Sequence, residues 1–300
     1  MSKIKVRIPA TTTNLGPGFD CLGLALSLYN TVELEITKGK HRIEVTGEGR
    51  TELEKPDYNL VLHAVEKVYE KIHQPCPPVY LRLTNQIPFA RGLGSSAAAY
   101  LGGLTAANVL SGNKLSDDEI LELAVEKEGH PDNVVPAMKG GFTVSSRTKS
   151  GTLWIKCQQF KIPPVLVAIP DMPMKTKESR TVLPSQISYI DAVQNIGRTA
   201  LLVSALAEGK WDLLRLAMED RLHQPYRDTK DKLFSKSIQV ALNAGAYGAA
   251  LSGSGSTILT FIPEGNYRVG QVIEKVFAEK GITLRLMQLD VDNQGLTLME

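Results

Sequence analysis

Pro88-Phe89-Ala90-Arg91-Gly92-Leu93-Gly94-Ser95-Ser96-Ala97-Ala98 sets two glycines, two serines and two alanines between a strand-like stretch, 79–84, and a long run of small residues. Glycines let backbone N–H groups turn inward. The unpaired amides of a helix's first turn point at whatever sits before it, and the macrodipole adds about half a positive charge there. Such a loop can hold a phosphate, with the Ser95 and Ser96 hydroxyls completing an anion or magnesium shell; a glycine turn with a serine N-cap explains the pattern equally well. No Lys-Ser or Lys-Thr pair follows the glycines, so this is not a Walker A loop, and no H-R-D or D-F-G segment supports a protein kinase. Gly92-x-Gly94-x-x-Ala97 loosely fits a dinucleotide fingerprint. That reading is weakened by the residues, Pro88 among them, that separate it from the strand, and by the position of the next acids, Asp117 and Asp118, in a helix's first turn.

Working outward, Val6 and Ile8 alternate with charged residues, as do Val32, Leu34 and Ile36, so both stretches read as half-buried strands flanking a turn-rich segment, 11–18. Leu60, Val61, Ala64, Val65, Val68 and Ile72 recur at helical spacing, and prolines at 75, 77 and 78 end that helix. A small-residue helix is expected over 95–110. Ser116 with Glu119 forms a capping-box pattern opening a helix from Asp117 to about Glu126. Strands follow around 142–146 and 153–156, and Pro163 and Pro164 precede an apolar run, 165–169. The second half alternates helices (188–207, 211–218, 232–243, 269–279) with strands (249–251, 257–261, 283–289). This predicts an α+β fold in two domains, 1–160 and 161–300, the second an antiparallel sheet with helices on one face.

Length supports two domains: 300 residues at about 150 per domain. A 43% hydrophobic and 22% charged composition excludes disordered and collagen-like chains. Lys+Arg 34 against Asp+Glu 32 leaves +2, which supports neither a nucleic-acid-coating surface nor a polybasic membrane anchor. Cys21, Cys76 and Cys157 are odd in number and widely spaced, against a disulfide framework or zinc knuckle. With no apolar leader and no membrane-length apolar window, a cytoplasmic protein is expected.

Residues 88–98, together with the late segment Leu251-Ser252-Gly253-Ser254-Gly255-Ser256-Thr257, resemble the second and third motifs of the galactokinase, homoserine kinase, mevalonate kinase and phosphomevalonate kinase superfamily. Pro9-Ala10-Thr11-Thr12-Thr13-Asn14-Leu15-Gly16-Pro17-Gly18-Phe19-Asp20 resembles its first motif in the homoserine kinase version, as does Glu128-Gly129-His130-Pro131-Asp132-Asn133. The resemblance runs in order from about residue 5 to about 260. It implies a ribosomal-protein-S5-domain-2-like ATP-binding domain followed by a ferredoxin-like domain. The implied activity is ATP-dependent phosphorylation of the side-chain hydroxyl of L-homoserine to O-phospho-L-homoserine, a step toward threonine. Another small-molecule kinase of the superfamily, a ligand sensor without turnover and a dinucleotide-binding oxidoreductase are the rivals. The implied partners are ATP, Mg²⁺ and homoserine, with no nucleic acid and no membrane; a homodimer is compatible with the resemblance.

Residue by residue, the resemblance implies that Pro88, Phe89, Ala90, Arg91, Gly92, Leu93, Gly94, Ser95, Ser96, Ala97 and Ala98 wrap the ATP phosphates, with Ser96 and Glu122 on the metal and Asn59 on adenine. Without it, Glu122 reads as a solvated helix carboxylate and Asn59 as an N-cap. The implied substrate residues are Asn14, Asp20 (suited to an ammonium), His130, Thr176, Gly253, and the carboxylate clamp Arg180 and Arg227, whose planar forks engage a carboxylate bidentately. Asn133, His130 and Arg180 are the expected catalytic group. The family's homoserine kinases look as if they lack a dedicated base, so alignment and charge neutralisation carry the reaction; Asp132 stays open between shaping the site and acting as a base.

Overall fold

The computed structural model describes residues 3–53, 59–174 and 176–299. Its strands are β1 Lys3–Asn14, β2 Gly18–Ile36, β3 Arg42–Gly47, β4 Val79–Asn85, β5 Phe142–Thr148, β6 Gly151–Cys157, β7 Val165–Pro170, β8 Gly248–Leu251, β9 Ile258–Phe261, β10 Leu284–Leu289 and β11 Thr297–Met299. Its helices are α1 Arg50–Leu53, α2 Leu60–Lys71, α3 Ser95–Leu110, α4 Asp117–Glu128, α5 Val134–Lys139, α6 Thr176–Thr181, α7 Tyr189–Glu208, α8 Leu214–Ala217, α9 Gln224–Arg227, α10 Leu233–Asn243 and α11 Arg268–Ala278.

The first sheet runs β11-β1-β2-β4-β3, with β5 and β6 branching from β2. The expected turn-rich segment shortens to a three-residue turn. Thr11, Thr12 and Thr13, β-branched and buried, extend β1 to Asn14, which pairs with Gly18. At 19 residues β2 is long enough to pair with β4 through Asn30–Ile36 and with β5 through Leu22–Leu24. Helix α3 is buried on two sides because its residues are small. A Cβ on Gly102 would stand 2.6 Å from Ile8, and one on Gly103 would stand 2.7 Å from the Val61 carbonyl oxygen, so sheet and α2 both close on it.

The second sheet runs β10-β7-β9-β8, all antiparallel. Taken with α10 and α11 in a β-α-β-β-α-β order, that is the ferredoxin-like arrangement. The expectation of helices on one face is corrected. Leu166 and Ala168 share a core with Phe234, Ile273 and Phe277, whereas Val165, Val167 and Ile169 face a second layer with Leu202, Leu206 and Leu214. The unbroken apolar run at 165–169 is the signature of a strand covered on both sides. The change from one sheet to the other falls between β6 and β7. The chain then returns at its end: β11 pairs with β1, and Asp292 N–H donates to the Ala25 carbonyl at 3.0 Å, so the last residues complete the first sheet rather than the second. No helix is long and apolar enough to cross a membrane among the described residues.

Candidate active site

Between the two sheets lies a cleft of about 290 Å³, lined by the 89–97 loop, Asn14, Asp20, Glu128, His130, Asn133, Arg180, Arg227 and Gly253, with no lysine among its lining residues. One end of it is backbone. Ala90, Gly92 and Gly94, at alternate positions, adopt left-handed φ of 54°, 75° and 71°, the kind of turn that gathers N–H groups into an anion-binding concavity. Gly94 caps α3 with no side-chain bond, and the first-turn amides of a helix have no intrahelical partner. The loop is clamped by the glycine-serine segment: the Ser252 hydroxyl lies 2.6 Å from the Gly92 carbonyl and 2.8 Å from the Thr12 hydroxyl, and Thr257 N–H donates to the Arg91 carbonyl at 3.2 Å. The clamp leaves no room for a side chain, since a Cβ on Gly92 would stand 2.1 Å from the Ser252 oxygen. Arg91 donates to the Pro170 carbonyl at 2.9 Å and to Asp171 at 2.8 Å. It ties the loop to the second sheet.

Two expected residues lie outside the lining of the cleft. Helix α4 opens with the expected capping box but runs on to Glu128, closed by left-handed Gly129. Six residues on from Glu122, Glu128 emerges on another face, and there its carboxylate accepts from the Ser96 hydroxyl at 2.6 Å. Glu122 instead accepts from Thr152 N–H at 2.6 Å, anchoring the β5–β6 hairpin, and does not line the cleft. Sequence reasoning passed over Glu128 although a signal was available: a carboxylate in a helix's last turn opposes the macrodipole, and such a placement asks for a cation. Asn59 is the N-cap of α2, accepting from Val61 and Leu62 N–H at 3.0 and 3.1 Å and donating to the Leu53 carbonyl at 2.7 Å. With 1% exposure it borders a small apolar cavity of about 20 Å³ that shares Leu60, Phe89, Ser95 and Ser96 with the cleft.

The other end is made of side chains. Asn14, Leu15 and Asp20 hold positive φ without being glycine, a concentration of backbone strain of the kind found at functional sites. Asn14 is spent on that geometry: it donates to the Gly253 carbonyl at 2.9 Å and accepts from Asp20 N–H at 3.1 Å. The Asp20 carboxylate takes both Arg180 nitrogens at 3.0 and 2.5 Å. The two side chains stay 33% and 35% exposed, so the pair contributes at most about 1 kcal/mol and is open to competition. Arg227, 5% exposed, donates to the Ser179 and Gly253 carbonyls at 3.2 and 3.0 Å. Burial, then repulsion from Arg180, lowers its pKa to about 10, so it is still a cation at neutral pH. Both guanidinium carbons lie over the Phe19 ring, at 5.3 and 5.2 Å. Thr176 lies at the start of α6; its side chain is outside the described residues.

His130 is 5% exposed and bonds Asp132 through Nδ1, while its Nε2 has no partner among the described residues. Burial disfavours its charged form, but the bond and charge of Asp132, with Asp20 nearby, outweigh that and raise its pKa. Asn133 accepts from the Thr11 hydroxyl at 2.7 Å beneath Gly94, and Thr11 N–H donates to the Leu93 carbonyl at 3.1 Å, tying β1 to the loop.

The chain belongs to the GHMP kinase family: models of that family's N-terminal and C-terminal domains match residues 59–141 and 202–282. Within it, the likeness is to homoserine kinases. The chain is 43% identical to the homoserine kinase of Carboxydothermus hydrogenoformans over 97% of this chain and 95% of that one, and 43% identical to that of Desulfitobacterium hafniense over 99% and 100%. The crystal structure of homoserine kinase from Cytophaga hutchinsonii superposes with a TM-score of 0.85 at 29% identity, covering 100% of this chain and 98% of that one.

Proposed function

We propose that this chain transfers the γ-phosphoryl group of ATP to the side-chain hydroxyl of L-homoserine, giving O-phospho-L-homoserine and ADP. The observation that carries the substrate is the juxtaposition of Asp20 with Arg180 and Arg227 at one end of the cleft, opposite a backbone anion cradle. An α-amino acid presents an ammonium beside a carboxylate, and the site offers the complementary charges. Because the Asp20–Arg180 pair is screened, homoserine can exchange into it, its ammonium taking Asp20 and its carboxylate taking the arginines. His130, with its free Nε2, lies on the same wall.

The cradle and α3 amides hold the phosphates, and adenine lies toward Leu60 and Phe89, which border both cavities. Ser96 and Glu128 offer a hydroxyl and a carboxylate 2.6 Å apart beside the cradle, a hard-oxygen donor set that fits Mg²⁺. When bound there, the ion would neutralise charge on the transferring phosphoryl group. The protein contributes alignment. Arg180 and Arg227 fix the substrate's far end, Asp20 its ammonium, and Asn133 keeps the loop at its working distance, so the hydroxyl meets the γ-phosphorus in line. The first sheet would then supply the nucleotide and ammonium sites and the second domain the arginines.

We also propose a homodimer, supported by α7, where Tyr189, Ile190, Val193 and Ile196 are 85, 69, 52 and 69% exposed on one face, with Ile187 just before them. These side chains present roughly 400–500 Å² of apolar surface, half or more of what one partner gives a standard interface, about 800 Å². The partner is a second copy laid along the same helix; sedimentation should show a dimer that Ile196→Glu converts to monomer, and a monomeric parent would remove the idea.

The activity is tested by incubating the protein with Mg·ATP and, separately, homoserine, mevalonate, galactose and cytidyl-methylerythritol phosphate. ADP should rise only with homoserine; a rise only with another alcohol overturns the reading.

A further inference from the structure

His223, fully buried just ahead of α9, is used by no step above. Its Nε2 lies 2.8 Å from the Gly16 carbonyl, which can only accept, so Nε2 carries the hydrogen. Its Nδ1 lies 3.1 Å from Arg227 Nη1, which can only donate, so Nδ1 is bare. The two neighbours fix one tautomer of a neutral imidazole. Its ring stacks on Phe19 at 5.1 Å, the ring that both arginines flank.

The histidine therefore spans the site: Gly16 belongs to the turn that presents Asn14 and Asp20, and Arg227 belongs to the opposite domain. Among the described residues, the side-chain hydrogen bonds of Arg227 end on neutral acceptors, two carbonyls and this imidazole. A carboxylate in place of the imidazole would cancel the guanidinium charge, whereas a neutral acceptor orients it and leaves its attraction for a carboxylate intact.

We infer that His223 is a positioning residue for homoserine: its bare Nδ1 orients the Arg227 guanidinium without neutralising it, so that the arginine is held ready for the substrate carboxylate. This rests on the homoserine reading. Charged groups facing the ring are Asp220, whose Oδ2 is 3.5 Å from Nε2, and Arg227, with Asp20 also acting on it through space. Protonation would set a donor at Nδ1 against the donor of Arg227, so the arrangement belongs to the neutral ring.

Two amide variants separate the contacts, because asparagine can set an acceptor near the Nδ1 position and glutamine a donor near the Nε2 position. His223→Gln should raise the homoserine KM about 10- to 100-fold, the worth of a hydrogen bond to a charged group, with the ATP KM within about twofold. His223→Asn should restore most of the homoserine KM. Equal effects of the two variants, or an ATP KM that moves in step with homoserine's, would mark a core histidine and overturn the inference. Should both variants fail to fold, ¹⁵N spectra of the unaltered protein decide: protonated Nε2 and bare Nδ1 at neutral pH are expected, and the other tautomer or an imidazolium would overturn it. If the unaltered protein releases no ADP with homoserine, the substrate reading itself falls, and this inference with it.

Discussion

The two ends of the cleft bind with different materials. At the proposed nucleotide end, recognition would reside in backbone amides held by the close approach of Gly92 to Ser252 and of Gly94 to Thr11. At the proposed substrate end it would reside in four charged or titratable side chains, Asp20, His130, Arg180 and Arg227, gathered from both halves of the chain. A backbone site tolerates side-chain change around it but not at its glycines. A side-chain site can be taken apart one residue at a time. The contrast also explains a net charge of only +2 in a protein that handles ATP, since amides and a helix end do not enter a count of Lys and Arg.

The sharpest way to break the contrast is Gly92→Ala. The new methyl would sit 2.1 Å from a carbonyl oxygen at a residue with φ 75°. Neither the loop nor the glycine-serine segment can move without losing the other, so kcat/KM for ATP should fall more than about 1,000-fold, with a lowered Tm. Near-normal kinetics would mean the cradle is not the phosphate site. Next in size is the choice of carboxylate. Glu128→Gln should lower kcat about 100-fold and raise the Mg²⁺ needed for half-maximal rate, whereas Glu122→Gln should stay within about twofold in kcat and cost only about 1 kcal/mol at the hairpin. The opposite ranking would restore Glu122.

At the substrate end, Arg227→Ala should raise the homoserine KM about 30- to 100-fold and spare ATP; equal loss for both ligands would show that the two ends are not separable. A smaller effect concerns acid. Burial first, then Arg227, depresses the His223 pKa despite the opposing pull of Asp220. A depressed histidine adds stability above its unfolded value of about 6.5, and that stability is lost as pH falls through the folded value. The Tm of the parent should therefore drop a few degrees more between pH 7 and pH 5 than that of His223→Asn, which has no ring to protonate. Parallel pH profiles would refute it.

How far the sequence foretold these arrangements depends on the range of the forces involved. Local chemistry was legible: the Ser116–Glu119 box, the prolines ending α2 and the small residues of α3 stand where their patterns predict. Features set by distant packing were not. The return of β11 to β1 leaves no periodic signal in three residues, and the second layer of helices on β7 shows only in the absence of alternation at 165–169. Glu122 against Glu128 turned on helix length, where two further residues bring a carboxylate round to Ser96. His223 was invisible because its partners are 207 residues away and 4 residues away, and only the fold joins them.

Asn59 gives the smallest expected effect and the finest test of the contrast, because it asks whether any side chain at the nucleotide end reads the base. Its carbonyl oxygen already takes two helix amides and its amide donates to the Leu53 carbonyl. Serine caps helices about as well as asparagine, so Asn59→Ser preserves the start of α2 while removing the amide a purine would use. If Asn59 works as a cap, the ATP KM stays within about twofold and Tm falls by only a few degrees, as the loss of one hydrogen bond implies. A tenfold rise in the ATP KM at unchanged Tm would give the residue a direct part in base recognition, and the nucleotide end would no longer be a site of backbone alone.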